Sequence, residues 1–239
     1  MASAAPSTDQ PGAGIHEAIP ALAECDQLVV ATAADWNATN ASVALYERSA
    51  GGRWQKSGKA FSAMLGRNGL AWGIGLHGSW PSSAAPKREG DNRSPAGVFA
   101  FEKIYSRGAT RQNFHFPFSE LSETFEGVDD SASRRYNRLF DSAQISERDW
   151  DSSEKIRGTN PLFRWLVDVK HNWEQFPGYG SCIYLHVWRG PGRPTSGCTA
   201  MAPESLERVV RWLDATKQPL LGQLPAAEYD RLRPAWALP

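Results

Sequence analysis

The chain has 239 residues, 41% of them hydrophobic and 22% charged, which fits one large domain or two small ones and excludes a disordered or fibrous protein. Lysine plus arginine and aspartate plus glutamate both number 26, so the formal net charge is zero and the basic excess of nucleic-acid binders is missing. No stretch approaches the roughly 20 apolar residues that a membrane-crossing helix needs.

In chain order, residues 1–22 read as a flexible leader rich in Ala, Pro, Ser and Gly. The start, MASAAPSTDQPGAG, has neither the basic opening nor the apolar run of a signal peptide. Either the protein stays in the cytoplasm or a signal has been removed. A single domain is expected over 23–217. QLVVATA (27–33) is a short apolar β-type run, and ASVALYER (41–48) alternates like a half-buried strand. ADWNATN joins them, and SAGGRW turns into a further strand-like stretch, so the opening reads as a β meander. GLAWGIGLHG (69–78) is apolar and punctuated by glycines, which mark bulges or close backbone approach.

Residues 79–96 form a long polar loop, and GVFAFEKIYS (97–106) is a clear strand. Residues 107–160 read as a polar, irregular surface insertion. FRWLVDVKHNW (163–173) and SCIYLHVW (181–188) are strands. In the second, alternation puts Ile183, Leu185 and Val187 on one face and Cys182, Tyr184, His186 and Trp188 on the other. APESLERVVRWLD (202–214) predicts a helix with Pro203 in its first turn and Glu204 at its positive end. Leu206, Val209, Val210 and Leu213 make its apolar face, and Glu204–Arg208 and Glu207–Arg211 are i,i+4 pairs. Residues 218–239, broken by prolines, are expected to wrap the surface as a tail. The sum is a β-rich α+β domain.

Three cysteines, Cys25, Cys182 and Cys198, are too few for a disulfide scaffold and lack the spacing of a metal site. Cys182 reads as a small core residue, with a pairing to Cys25 open if the protein is exported. Ten tryptophans suit packing first and sugar-ring platforms second.

The informative stretch is GSCIYLHVWRGPGRPTSGCTAM (180–201). His186 ends a strand, a Gly/Pro-rich loop follows, and Cys198 stands before the helix. Such a loop can fold the thiol back to the strand end that carries the imidazole. A neighbouring imidazole draws off the thiol proton and later returns it to a leaving amine. Gly197 lets backbone approach a substrate, and amides around Gly197–Cys198 suit a tetrahedral oxyanion. A lone cysteine or strand histidine is ordinarily structural, so the argument rests on their conjunction. A metal reading would need further ligands among His77, His115, His171, Cys182 and scattered carboxylates, none suitably spaced. For His77 a structural role is expected, and for Asp91 and Arg93, which flank a Pro-x-Gly turn, loop hydrogen bonding.

The same stretch resembles the signature of the L,D-transpeptidase catalytic domain family, in which a strand histidine is followed by a loop and Ser-His-Gly-Cys. RSPAGVFAF (93–101) is similar to that family's Thr-Pro-x-Gly-x-Phe strand. GRNGLAWGIGLHG (66–78) and GYGSCIYLH (178–186) resemble a divergent branch reading Gly-Ser-x-Ile-Phe-Leu-His and Pro-Thr-x-Gly-Cys. The resemblance spans most of residues 25–215. It implies a curved mixed sheet or sandwich with a helix packed after the cysteine. Cys198 is then the acyl-accepting nucleophile and His186 its base, with the Val187 carbonyl orienting the imidazole and Gly197 the motif glycine. Ser196, Thr195, Arg193, Tyr184 and Trp188 are the expected substrate-binding residues.

Two departures touch the substrate side. The motif histidine is Ser196, and Ala200 stands where an Arg or Asn is usual, leaving Arg193 or Arg189 to supply a positive group. The implied activity is peptidyl transfer on peptidoglycan stem peptides through a cysteine thioester. It needs no cofactor, no metal and no nucleic acid, and suits a monomer in the periplasm or cell envelope. Hydrolysis of the same thioester, as an L,D-carboxypeptidase or amidase, is the first alternative. A non-catalytic wall-binding module is the second.

Overall fold

A computed structural model describes residues 11, 14–49, 52–108 and 114–239. Among these residues, fourteen strands and three helices follow one another in this order. The first helix, α1, is Pro20–Glu24, and the meander after it comprises β1 (Gln27–Ala33), β2 (Asn40–Glu47), β3 (Gln55–Lys56), β4 (Phe61–Met64) and β5 (Leu70–Trp72). The long strand β6 (Ser94–Ser106) precedes β7 (Phe118–Glu120), β8 (Phe125–Val128), β9 (Leu139–Asp141) and β10 (Ser153–Lys155). Then come β11 (Leu166–Val169), β12 (Tyr184–Val187), β13 (Thr199–Met201), α2 (Pro203–Trp212), β14 (Leu220–Pro225) and α3 (Ala226–Trp236).

Eight strands close on themselves in the order β1-β14-β6-β11-β12-β13-β4-β2, and β2 pairs back to β1. Two of the eight contacts are parallel, β1 with β14 and β12 with β13. The architecture is therefore a β-rich α+β protein on a mixed eight-stranded barrel, where the resemblance implied a curved mixed sheet or sandwich. Closure removes the free edges that an open sheet must otherwise protect. One buried cluster runs through it, including Leu28, Leu45, Val98, Phe99, Val167, Leu185 and Met201. No helix among the described residues is long and apolar enough to cross a membrane.

The α2 helix matches the sequence reading. Pro203 opens it, and Leu206, Val209, Val210 and Leu213 are fully buried, each contributing about 2 kcal/mol of apolar burial. The Glu207–Arg211 pair forms at 2.8 Å. The Glu204–Arg208 pair does not, because Arg208 turns to the carbonyls of Ser57 and Lys59 and ties the helix to the meander.

Three expectations are corrected. Residues 1–10, 12 and 13 of the leader lie outside the described residues, but the rest of it is anchored. The Gly14 amide donates to Trp80, His16 to His77, and Ile19 and Leu22 are buried. The 218–239 segment is no surface tail. All six residues of β14 are buried between β1 and β6, and α3 packs on β14 and β1. The described part of the 107–160 segment is not irregular throughout. It supplies β7 to the edge of β6 and a separate sheet, β10-β8-β9. That sheet packs on a second buried cluster with Tyr105, Leu121, Ile156, Cys182 and Tyr184. Gly127 of β8 is the point of contact: a Cβ there would lie 2.5 Å from the Tyr184 hydroxyl and 2.9 Å from the Cys182 sulfur.

Candidate active site

Strand β12 separates the two clusters, as its alternation predicts. Ile183, Leu185 and Val187 enter the barrel core, and Cys182 and Tyr184 enter the second cluster. His186 shares the latter face. The 188–198 segment is a crossover of about a dozen residues, the lower limit for joining parallel strands. It returns the chain beside β12, so that His186 pairs with Ala200. Cys198, the residue before β13, thereby comes to the same wall. Both line one cavity of about 400 Å³.

The His186 ring is fixed from two sides. Its Nδ1 lies 2.8 Å from the Val187 carbonyl oxygen, which can only accept, so Nδ1 carries the proton. Nε2 is left as the bare acceptor. Phe163 meets the ring edge-on at 6.0 Å between centroids. Burial lowers the imidazole's pKa against the opposing pull of the Val187 carbonyl, and the Arg189 charge lowers it further.

Cys198 is half-buried, and its sulfur is enclosed by protein. Burial raises the thiol well above its usual range, and the negative charge of Glu154 adds to this, with Lys87 acting in the opposite direction. At neutral pH the resting site thus holds a thiol and a neutral imidazole. The sulfur sits over the β12 backbone, accepting from the Tyr184 amide and donating to the Cys182 carbonyl, both at 3.4 Å. No hydrogen bond joins it to His186, contrary to the sequence expectation of a direct Cys–His contact. Packing against the second cluster draws the side chain onto that backbone. Rotation about the cysteine side chain is needed to present the proton to Nε2.

The loop before Cys198 is held by hydroxyls. Thr195 Oγ1 accepts from the Gly197 amide at 3.0 Å and donates to the Cys198 carbonyl at 2.6 Å. Ser94 Oγ gives that carbonyl a second donor at 3.1 Å. The Gly197 amide is therefore engaged and does not point at a substrate, which corrects its expected role as an oxyanion donor. Gly197 has φ +151°, and a Cβ on it would press to 3.1 Å from the Arg93 carbonyl oxygen.

Of the expected substrate-binding residues, Ser196, Thr195 and Arg193 line the cavity with Arg189. Ser196 is exposed and touches Arg67, whose guanidinium is 3.4 Å from its hydroxyl. Tyr184 lies beneath the cavity, buried in the second cluster, and Trp188 does not line it. Among the described residues no tryptophan lines it, so the sugar-platform reading has no support at this cavity.

Lys87 was not singled out from the sequence. It is 3% exposed, lines the cavity, and pairs with Asp91 at 2.8 Å. Its ammonium lies 3.6 Å from where a Gly197 Cβ would stand. Nothing in SAAPKREGDNRSP distinguishes this lysine from its neighbours; only the fold carries it inward. Asp91 and Arg93 hold the loop as expected, Asp91 accepting from the Arg88 and Arg93 amides and Arg93 donating to Leu70 O.

The other histidines of interest are structural. His77 accepts from the Val98 amide and donates to Gly73 O, and burial lowers it to about 4. His171 accepts from the Ile74 amide and donates to Tyr179 O, and burial lowers it to about 3. Cys25 and Cys182 are free thiols in different clusters, so the open pairing between them is not made. Among the described residues, no group of three or more His, Cys, Asp or Glu is placed to hold a metal ion.

No protein-family model matches the chain, and no curated protein matches it in sequence.

Proposed function

We propose that the protein is a cysteine-dependent peptidyltransferase acting on peptidoglycan stem peptides, of the L,D-transpeptidase type. The observation that carries this reading is the His186 ring, locked through Nδ1 on Val187 with Nε2 bare, in one cavity with the Cys198 thiol. In the reaction, Nε2 takes the thiol proton as sulfur attacks the amide carbonyl after an L-configured centre. The imidazolium returns that proton to the departing D-amino acid, leaving a Cys198 thioester. Lys87 supplies positive charge beside Gly197 for the developing oxyanion, a role the Gly197 amide does not fill. A wall amine then takes the acyl group.

Hydrolysis of the thioester is the second reading. It is favoured by Ser196, an exposed hydroxyl where the motif has an imidazole. Intact-protein mass spectrometry after incubation with tetrapeptide muropeptides tests both. The expected result is an adduct on Cys198 lacking the terminal D-amino acid, resolved to a cross-link when an amine is added. Release to water in the presence of amine would select the hydrolase. No adduct on Cys198 would overturn the acyl-enzyme reading.

A further inference from the structure

The 107–160 segment gives the cavity Asp129, Glu154, Lys155 and Asn160, and two of these four are carboxylates. Glu154 on β10 pairs across the ladder with Gly127 of β8, so the two share a face. Asp129, just past the end of β8, lies close enough for its charge to act on Glu154. Gly127 is the residue that touches Cys182 and Tyr184, so Glu154 lies on the side turned to the thiol. Both carboxylates line the cavity, and among the described residues neither has an ion-pair or hydrogen-bond partner. Asp129 Oδ1 is a buried acceptor with nothing to accept from. The neighbouring acid, Glu126, faces the other way and is saturated by Lys155, Arg148, Trp150 and Ser153.

An independent observation points to a ligand here. Ser181 is 7% exposed and lines the same cavity, and apart from the weak Cys182 thiol beside it, its hydroxyl has no partner. Unpaired acceptors facing a cavity are costly unless something cationic completes them. A primary ammonium has three donors in one small group, matching Asp129, Glu154 and Ser181.

We infer that Asp129, Glu154 and Ser181 form the subsite of an incoming primary amine, which they hold as its ammonium beside the Cys198 thioester, with Glu154 accepting its proton. The catalytic part of this inference rests on the peptidyltransferase reading. Glu154 takes one proton from R–NH3+. The free amine attacks the thioester carbonyl, a C–N bond forms, and the C–S bond breaks. The second amine proton passes through His186 Nε2 to the departing sulfur, which regenerates the thiol. The surrounding protein and the charge of Asp129 push the Glu154 carboxyl up to about 7 against the opposing charge of Arg189, although its side chain stays open to solvent. A carboxylate so raised is a better proton acceptor than an ordinary one.

The test uses two probes on the native protein and on Asp129→Asn, Glu154→Gln and the double variant, each checked for an unchanged urea midpoint. Calorimetric titration compares Nα-acetyl-lysine amide with the neutral Nα-acetyl-norleucine amide. The lysine probe is expected to bind at least tenfold tighter to the native protein and to lose that preference in the double variant. In the second arm, one thioester partitions between Nα-acetyl-lysine amide and hydroxylamine, which is mostly neutral at pH 7. This product ratio does not depend on how fast the thioester forms. It should fall tenfold or more in Glu154→Gln. Absence of the charge preference in the native protein, or a ratio within twofold of native, overturns the subsite. A charge preference without any thioester would remove the peptidyltransferase reading and leave the cation subsite standing.

Discussion

The two hydroxyls converging on the Cys198 carbonyl make a quantitative prediction. Thr195→Val keeps shape and β-branching, and the Thr195 backbone stays bonded to Leu65 and Arg67. What is lost is the acceptor for the Gly197 amide and one of two donors to the Cys198 oxygen. A buried amide left unpaired costs about 1–3 kcal/mol, whereas a carbonyl that keeps one donor loses much less. The expected cost is about 2 kcal/mol. Ser94→Ala strips the same carbonyl of its other donor and orphans the Gly66 amide, bonded to Ser94 Oγ at 2.9 Å, so it too should cost about 2 kcal/mol. In the double variant the carbonyl loses its last side-chain donor. The sum of the single effects should then be exceeded by about 1 kcal/mol, in the range of coupled contacts. Urea unfolding with unchanged m-values is the assay. The double variant should also slow Cys198 acylation more than the product of the two single effects. Additivity within about 0.3 kcal/mol would refute the shared-carbonyl reasoning.

Other predictions follow from the same structure. Cys198→Ala, His186→Ala and the double variant should lose similar activity, while Ser196→Ala costs no more than about 1 kcal/mol in transition-state stabilisation; normal acylation by His186→Ala would show the base misassigned. His77 and His171 have folded pKa values of about 4 and 3, below the unfolded 6.5, so between these limits the unfolded chain binds more protons. Their contribution is intact above about pH 6.5 and is lost as pH falls toward 3, by roughly 3 kcal/mol or more each. Urea titrations from pH 7 to pH 4 should show this, and a slope unchanged in His77→Gln would contradict it. Trp236→Ala removes a buried ring packed 6.0 Å from His77 and a donor to His16 O, and should cost 3–5 kcal/mol, roughly the range for large-to-small core changes; a cost under about 1 kcal/mol would return the C-terminal segment to the surface.

What was legible in the sequence was what periodicity and local chemistry determine. The alternation of 182–188 separated the two faces of the strand, Ile183, Leu185 and Val187 going to the barrel core and Cys182 and Tyr184 to the second cluster, although Trp188 does not line the cavity, and the apolar face of α2 was read residue by residue. The resemblance supplied the Val187 contact, and the structure has it at 2.8 Å. The losses have physical causes. Strand β14 was hidden because QPLLGQLP mixes glutamine, glycine and proline. Gln223 is buried there only because Thr199 and the Pro95 carbonyl satisfy its amide. The 107–160 sheet was hidden because its strands are three or four residues long and carry a buried glutamate, Glu126, whose partners lie across the ladder. Lys87, Asp129 and Glu154 were hidden because a charged residue on a loop or short strand ordinarily faces water. Which of them turn inward is decided by pairings between segments distant in sequence.

Barrel closure also constrains how the molecule can be made. Strand β14 is the last in chain order, yet it lies between β1, the first, and β6. A growing chain that has already produced β1 through β13 therefore carries two bare strand edges, with the backbone amides and carbonyls of β1 and β6 open to any extended peptide. Synthesis at roughly 5–20 residues per second leaves those edges unpaired for many seconds, and only the arrival of residues 220–225 seals them. Folding of this sheet is therefore completed only after translation has passed the last strand.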